Sequence, residues 1–289
     1  MDSEESTRFR SIRVEFTSDT VGLLSLARPE KSNAINETLW EELPLGLQYL
    51  QRQGARAIVI SGEGKNFCAG LDVSVLETEA SNSSDIEDGG DTAGSKNCQG
   101  RARLRFLSRL QALQDSMNAL ERCSCPVIAA VHGACFGAGV DLVTACDIRF
   151  CTADTKFCVK EVDLAITADM GTLARLPGIV GDGHARELSL TARLLPGEEA
   201  RAIGMVSACF PSRSALMSHA LSTAKLIAKK SPLAITGTKR ILLDQRGKTV
   251  EDGLRNVAMW NSAMLPGSAD VREVFAARSE GRSPVFSKL

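Results

Sequence analysis

Residues 126–141 read PVIAAVHGACFGAGVD, a segment in which a short apolar run leads directly into a glycine-rich turn. The run Val127–Val131 has the length and composition of a buried β-strand. In the turn, Gly133, Gly137 and Gly139 leave the main chain unobstructed, so that its N–H groups can approach a ligand. A helix that begins at such a turn adds partial positive charge. The segment therefore predicts a buried strand, a ligand-binding turn and a helix, in that order.

A second junction of the same kind lies earlier in the chain. Residues 67–72 read FCAGLD and follow the buried apolar run 57–60. Two main-chain N–H groups that converge on one oxygen form an oxyanion hole, and losing one donor costs roughly 3 kcal/mol of transition-state stabilisation. Either turn alone is also consistent with an ordinary glycine turn. A dinucleotide site is disfavoured, because the G-x-G-x-x-G order is absent and Asp141 would repel a pyrophosphate.

The composition excludes several classes of protein. The chain has 289 residues, 44% of them hydrophobic, and 34 Lys and Arg balance 35 Asp and Glu. That length suits one large domain, or one domain with a smaller appendage. The near-zero net charge disfavours nucleic-acid binding, because there is no domain-wide basic field. No apolar run approaches the roughly 20 residues that a membrane span needs.

The nine cysteines are predicted to be reduced thiols, mostly in the core, because the acidic N-terminus has no signal-peptide pattern. A zinc site built from Cys123, Cys125, His132 and Cys135 has poor ligand spacing, and we predict no metal. A Cys135 nucleophile paired with His132 is also disfavoured, because no third orienting group is evident.

Periodicity divides the chain at about residue 212. Before it, a hairpin over 12–26 and a helix over 36–52 begin a recurring strand–strand–helix pattern, and Pro44 predicts a kink or early break in that helix. The acidic, polar segment 78–100 predicts a mobile loop or disordered insertion. After residue 212 the sequence predicts only helices, over 213–229, 232–244, 250–264 and 269–280. We therefore predict a core at 1–212 and a helical packing or oligomerisation layer at 213–289.

The chain ends in Ser287, Lys288 and Leu289, which match a peroxisomal import signal read by a receptor. This predicts location in peroxisomes, or in a specialised equivalent organelle, with the import receptor as a partner. The alternative is an ordinary frayed tail.

Four segments, taken together and in order, resemble the crotonase (enoyl-CoA hydratase/isomerase) superfamily. They are ARPEKSNA at 27–34, FCAGLD at 67–72, the segment 126–141, and ACDIR at 145–149. The resemblance covers about residues 10 to 289. It implies an α/β fold with a spiral core of ββα turns, a C-terminal helical trimerisation region, and a homotrimer or a homohexamer formed as a dimer of trimers.

The resemblance also implies a binding site for an acyl-CoA thioester, without a separate cofactor. The N–H groups of Ala69 and Ala138 would hold the thioester oxygen, although Ala138 replaces a usual glycine and its methyl group narrows the slot. The acyl-CoA-binding residues predicted in this way are Lys31, Ser32, Asn33, Ala69, Gly70, Leu71, Asp72, Val73 and Ala138.

Three carboxylates distinguish branches of the superfamily. Residues 159–163, VKEVD, and 168–177, ADMGTLARLP, resemble the Δ3,5-Δ2,4-dienoyl-CoA isomerase branch. Typical hydratases carry Glu at the position of Asp141 and Gly at that of Asp169. The resemblance thus predicts proton transfer, with Glu161 as the base at carbon 2 of the acyl chain and a protonated Asp169 as the acid at carbon 6. Asp141 would adjust the pKa of Glu161, by repulsion between like charges or by sharing a proton with it.

Two alternatives remain open: a 2-enoyl-CoA hydratase, and a non-catalytic acyl-CoA-binding scaffold. The isomerase hypothesis makes a spatial prediction. Glu161 and Asp169 should face each other across a water-poor tunnel that passes the amides of residues 69 and 138, and an apolar pocket should keep Asp169 protonated.

Overall fold

The computed structural model describes residues 9–72, 74–75 and 98–288 of the protein. The prediction about the 78–100 insertion therefore lies outside the described residues, except that a helix begins at Gln99. The predictions for Val73 and Leu289 also lie outside them.

Two sheets form the centre of the fold. The larger has the strand order β1-β2-β3-β4-β6-β9 and the smaller the order β5-β7-β8. Among the strand pairs of these two sheets, β1–β2 and β7–β8 are antiparallel and the others are parallel. The strands are β1 Ile12–Ser18, β2 Val21–Leu26, β3 Ala57–Gly62, β4 Val127–Val131, β5 Ala134–Phe136, β6 Ile148–Thr152, β7 Lys156–Cys158, β8 Leu195–Pro196 and β9 Ala208–Phe210.

Helices connect the parallel strands and cover both faces of the larger sheet. They are α1 Glu37–Arg52, α2 Gln99–Arg122, α3 Ala138–Thr144, α4 Thr172–Val180, α5 Asp182–Thr191, α6 Gly197–Ala202, α7 Arg213–Ala228, α8 Pro232–Asp244, α9 Val250–Met264 and α10 Ala269–Ser279. The chain repeatedly passes from a strand of the larger sheet to a strand of the smaller sheet and then to a helix. This matches the predicted ββα spiral.

The sheet separates two cores. On one side, the buried face of α1, including Leu39, Leu43 and Leu47, packs with alternate residues of β1 to β4. On the other side, Leu216, Ala220, Ala224 and Ala228 of α7 pack on Val21, Ala57, Val59 and their neighbours. Because the strands are buried on both faces, they appear in sequence as unbroken apolar runs.

Pro44 does not end α1, so the predicted early break is wrong. The proline has no N–H to donate to the Trp40 carbonyl four residues earlier. The Ser116 hydroxyl of α2 donates to that carbonyl instead, at 2.6 Å. The hydrogen bond that the helix lacks is thus replaced by a buried tertiary one.

Replacing Ser116 by Ala is expected to lower the free energy of unfolding by about 1–3 kcal/mol, because it leaves the buried Trp40 carbonyl without a donor. In a Pro44→Ala background the cost should be smaller, since alanine has an N–H that can reach that carbonyl. Urea unfolding of the two single variants and the double variant measures this coupling. Equal costs in the two backgrounds would contradict the compensation.

The four predicted C-terminal helices are all present as α7 to α10. The first packs on the sheet, whereas α8, α9 and α10 leave large apolar side chains exposed, among them Leu242, Leu254, Met259 and Phe275. The division of the chain at residue 212 stays a prediction. Among the described residues, no helix combines the length and apolar character needed to cross a membrane.

Candidate active site

A cavity of about 260 Å³ lies between the two glycine-containing turns, α2 and the segment that follows β7. Its lining residues are Trp40, Ala69, Gly70, Leu71, Val75, Phe106, Arg109, Leu110, Leu113, Gly137, Ala138, Asp141, Lys160, Glu161, Leu164, Ile166, Asp169 and Met170. Both turns and all three carboxylates singled out in the sequence therefore meet at one place.

The two turns lie side by side because their main chains pair. Cys68 and Cys135 form an isolated parallel bridge, in which the Cys68 N–H donates to the Ala134 carbonyl and the Phe136 N–H to the Cys68 carbonyl, each at 3.0 Å. Gly70 has a φ of +101°, and a Cβ atom there would lie 3.1 Å from the Phe136 carbonyl oxygen. Glycine thus permits both the conformation and the close approach.

The predicted role of the Ala69 amide is wrong. Its N–H already donates to the Ser32 carbonyl at 2.9 Å. The next main-chain groups pair with Ile35, whose N–H bonds the Gly70 carbonyl and whose carbonyl accepts from the Asp72 N–H. Within the described residues, these bonds leave the Leu71 N–H without an acceptor, and Leu71 lines the cavity.

Ala138 keeps its predicted place. It is the first residue of α3, and the first N–H groups of a helix have no partner within the helix. Among the described residues, no hydrogen bond from this N–H occurs. Within the described residues, the N–H groups of Leu71 and Ala138 therefore have no acceptor and are free to bind an oxyanion in the cavity.

In the predicted CoA-binding loop, the polar side chains of Ser32 and Asn33 form hydrogen bonds within the protein. The Asn33 side chain is fully buried; it accepts from the Arg28 N–H and donates to the Glu63 and Asn66 carbonyls, at 2.8–2.9 Å. The Ser32 hydroxyl accepts from the Asn66 amide at 3.0 Å. Asn33 thus has a structural role, and its predicted contact with CoA is wrong. Lys31 is exposed.

Asp72 also departs from its prediction. Its carboxylate pairs with the Arg28 guanidinium at 2.9 Å and accepts from Ser74. The hydrogen bond from Arg28 holds the pKa of Asp72 below its ordinary value. Asp72 does not line the cavity, whereas Ala69, Gly70 and Leu71 do.

Glu161 is the first residue of the 3-10 helix Glu161–Leu164 and is buried. A Cβ atom on Gly137 would lie 3.3 Å from its Oε1 atom, which places the carboxyl group directly beside the second turn. Its Oε2 atom is buried and has no hydrogen-bond partner among the described residues. Desolvation, and then the charges of Asp141 and Asp169, raise the pKa of Glu161 to about 7. The group can therefore gain or lose a proton near neutral pH.

Asp141 is almost fully buried in α3, and its Oδ1 atom accepts from the Thr172 N–H at 2.6 Å. This bond caps the start of α4 with a carboxylate, where the helix dipole favours negative charge. Desolvation raises the pKa of Asp141 to about 6, although the hydrogen bond from the Thr172 N–H acts in the opposite direction. One of its two oxygens is thus already occupied.

Asp169 lines the same cavity but is exposed, so the predicted apolar pocket encloses it only in part. Partial desolvation nevertheless raises its pKa. Gln114 of α2 donates to its main-chain carbonyl at 2.7 Å and fixes the backbone there. Glu161 and Asp169 therefore line one cavity, with Glu161 at the buried side and Asp169 at the exposed side.

Sequence reasoning missed the contribution of α1 and α2 to the cavity wall. Trp40 comes from α1, and Phe106, Arg109, Leu110 and Leu113 come from α2. The helical spacing of apolar residues in α2 predicts an apolar face. It does not reveal that part of this face meets a cavity and part meets the core.

Comparison with known proteins agrees with this geometry. The profile described as "Enoyl-CoA hydratase/isomerase" matches the chain over residues 17–93 and 88–288. The chain belongs to the enoyl-CoA hydratase/isomerase family. Its mixed α/β architecture is the crotonase fold of that family, and an acyl-CoA substrate is consistent with membership.

Within the enoyl-CoA hydratase/isomerase family, the chain is similar to two proteins named Δ(3,5)-Δ(2,4)-dienoyl-CoA isomerase. It is 45% identical to the peroxisomal protein of Arabidopsis thaliana, over 99% of both chains. It is 40% identical to the mitochondrial protein of Homo sapiens, over 97% of this chain and 84% of the human one. A crystal structure of an enoyl-CoA hydratase from Bacillus anthracis superposes with a TM-score of 0.81 at 26% identity, covering 96% of this chain and 99% of the other.

Proposed function

We propose that the protein is an isomerase that converts 3,5-dienoyl-CoA to 2,4-dienoyl-CoA in fatty acid β-oxidation. The observation that carries the proposal is the buried Glu161, with a pKa of about 7, in one cavity with a second proton-binding acid and two free amides. The names of the relatives from Arabidopsis thaliana and Homo sapiens support it.

The proposed reaction removes one proton from the substrate and adds another at a different carbon. The carboxylate of Glu161 removes a proton from carbon 2, and the electron pair delocalises onto the thioester oxygen. The Leu71 and Ala138 N–H groups stabilise that charge. The dienolate extends to carbon 6, where a protonated Asp169 delivers a proton, so that the double bonds move from positions 3 and 5 to positions 2 and 4. Because Asp169 ends ionised and Glu161 protonated, a return proton transfer through water resets the pair.

Asp141 favours isomerisation over hydration. Addition of water in this family would need two carboxyl groups that hold one water molecule, and Asp141 is a methylene shorter than the Glu of typical hydratases. One of its oxygens already accepts from the Thr172 N–H. Asp169 meanwhile adds a third carboxyl group along the cavity.

A steady-state assay with two substrates tests the proposal. Purified protein should convert a 3,5-dienoyl-CoA to the 2,4-isomer, whose double bonds are conjugated with the thioester carbonyl, and ultraviolet absorbance measures this change. The kcat/KM for this reaction should be much higher than that for hydration of crotonyl-CoA. Preferred hydration of crotonyl-CoA would identify a 2-enoyl-CoA hydratase. Binding of both thioesters without turnover of either would identify a scaffold.

The acidic limb of the pH profile should report Glu161. Its carboxylate form is the base, so kcat/KM should rise with pH through an apparent pKa of about 7. The charge of Asp141 contributes to that raised pKa. The Asp141→Asn variant should therefore move the limb to lower pH, and a limb that stays in place or moves upward would contradict the coupling.

We propose that the exposed apolar residues of α8 to α10 form the interfaces of a homotrimer or homohexamer. Exposed leucine, methionine and phenylalanine side chains concentrated on three neighbouring helices favour burial in an assembly. Light scattering coupled to size-exclusion chromatography measures the mass. A monomer at micromolar concentration would contradict this assignment.

We also propose location in peroxisomes, with the import receptor as a partner of the C-terminal tripeptide. The peroxisomal relative supports this, while the human relative is mitochondrial. In the structure, Phe286 is buried and the Lys288 ammonium donates to the Gln53 carbonyl at 3.2 Å. Imaging a fluorescent N-terminal fusion with and without residues 287–289 tests the assignment, because only the intact fusion should enter peroxisomes.

A further inference from the structure

Two thiols lie close together outside the active site, at the junction between α2 and β4. Cys123 follows the last residue of α2, and Cys125 comes two residues later. Their Sγ atoms are 3.5 Å apart, and the residues are only 4% and 5% exposed. A disulfide needs an S–S distance of about 2.05 Å, so the two sulfur atoms must approach by roughly 1.5 Å.

A buried cation holds this junction. The Lys239 ammonium of α8 donates to the Leu120 carbonyl at 2.9 Å and to the Cys125 carbonyl at 3.1 Å. It also pairs with the Asp147 carboxylate at 2.8 Å. The thiols thus lie where a helix of the C-terminal region is anchored to the core.

The environment distinguishes Cys123 from the buried thiols of the core. The hydrogen bond from Cys125 and the Lys239 charge lower the pKa of Cys123 below its ordinary value, although burial acts in the opposite direction. Burial instead raises the pKa of Cys68 to about 12. The thiolate is the nucleophilic form of cysteine, so Cys123 is more reactive than Cys68.

Both cysteines border cavities at the protein surface. Cys123 lines a surface cavity of about 260 Å³ between α1 and α2, and Cys125 lines a smaller one on the side of α8. A small oxidant can enter the larger cavity, whereas Cys68 and Cys135 are completely buried in the core.

We infer that Cys123 and Cys125 form a redox dithiol, which a hydroperoxide oxidises to an intramolecular disulfide. The Cys123 thiolate attacks the terminal peroxide oxygen; an S–O bond forms, the O–O bond breaks, and the other oxygen leaves after taking a proton, as water from hydrogen peroxide or as an alcohol from an organic hydroperoxide. The Cys125 sulfur then attacks the sulfenic sulfur; the S–S bond forms, the S–O bond breaks, and the hydroxide that leaves takes the Cys125 proton and departs as water. Two thiols are oxidised and one hydroperoxide is reduced.

Peptide mass spectrometry of the full-length protein tests this inference. The protein is treated with a few equivalents of hydrogen peroxide, denatured in an alkylating agent, and digested. Cys123 and Cys125 should have lost two hydrogen atoms and carry no alkyl group, whereas Cys135 and Cys146, which lie in the same tryptic peptide, should be alkylated; tandem spectra separate the four positions. Dithiothreitol should restore both thiols. Cys68 and Cys135 should be recovered alkylated.

Two variants assign the roles. In Cys125→Ser, Cys123 should accumulate as a sulfenic acid that dimedone traps, because the resolving thiol is absent. Cys98→Ser, a matched loss of a thiol elsewhere, should oxidise as the wild type does. Recovery of both thiols of the wild type in reduced form, or sulfinic acid formation at Cys123 without a disulfide, would overturn the inference even if the Cys125 variant fails to fold.

Discussion

Replacing Glu161 by Gln should lower the kcat for dienoyl-CoA isomerisation by about 10²- to 10⁴-fold, the usual contribution of a general base. The amide has nearly the same shape and cannot accept the proton from carbon 2. Exchange of that proton with deuterium oxide should be lost together with product formation. Substrate binding should change little, because the two proposed oxyanion donors are main-chain groups.

Asp163→Asn is the matched control for Glu161. Asp163 belongs to the same 3-10 helix, but it is exposed and pairs with Lys160 instead of lining the cavity. The Asp163→Asn variant should therefore keep wild-type kcat.

The Glu161→Gln variant should also be no less stable than the wild type above neutral pH. A carboxyl group whose pKa is raised on folding costs stability once pH exceeds its unfolded pKa, and Gln removes that cost. Retained turnover in folded Glu161→Gln protein would exclude it as the base.

Replacing Asp169 by Asn should lower kcat by a similar factor while leaving one partial reaction intact. Proton removal at carbon 2 does not need Asp169, so the variant should still exchange that proton with deuterium oxide. Delivery of a proton to carbon 6 should fail, and the 2,4-diene should not form. Exchange without isomerisation is therefore the result that separates the acid from the base.

Asp182→Asn serves as the control for Asp169, because Asp182 is an exposed acid at the start of α5 that does not line the cavity. Isomerisation at the wild-type rate in Asp169→Asn would show that water, or another group at the exposed side of the cavity, supplies the proton. Loss of both exchange and isomerisation would instead assign Asp169 a part in proton removal or in substrate placement.

Local patterns in the sequence were sufficient for much of the fold. The run Val127–Val131, the hairpin over 12–26 and the four C-terminal helices occur where they were expected. They were predictable because an apolar run or a helical repeat depends on neighbouring residues alone. Pro44 was the exception, since its missing hydrogen bond is replaced by Ser116, which is distant in sequence.

The candidate site was predictable in its residue types and less so in its hydrogen bonds. Glu161, Asp169, Asp141 and Ala138 were identified from short motifs, and all four line one cavity. Ala69 was misassigned, because the direction of an amide in a turn depends on what the turn pairs with. Here residues 32 and 35 take the bonds on either side of Leu71.

The sequence by itself determined the family, the spiral of strands and helices, and the three carboxyl groups, because each depends on residue type and spacing along the chain. Only the tertiary structure decided which amides are free, that Asn33 holds a loop, that Asp169 is exposed while Glu161 is buried, and that two neighbouring thiols lie at a junction held by a buried lysine. These are matters of burial and hydrogen-bond partnership between segments remote in sequence. Their physical cause is the packing of the two sheets and their helices around a shared cavity.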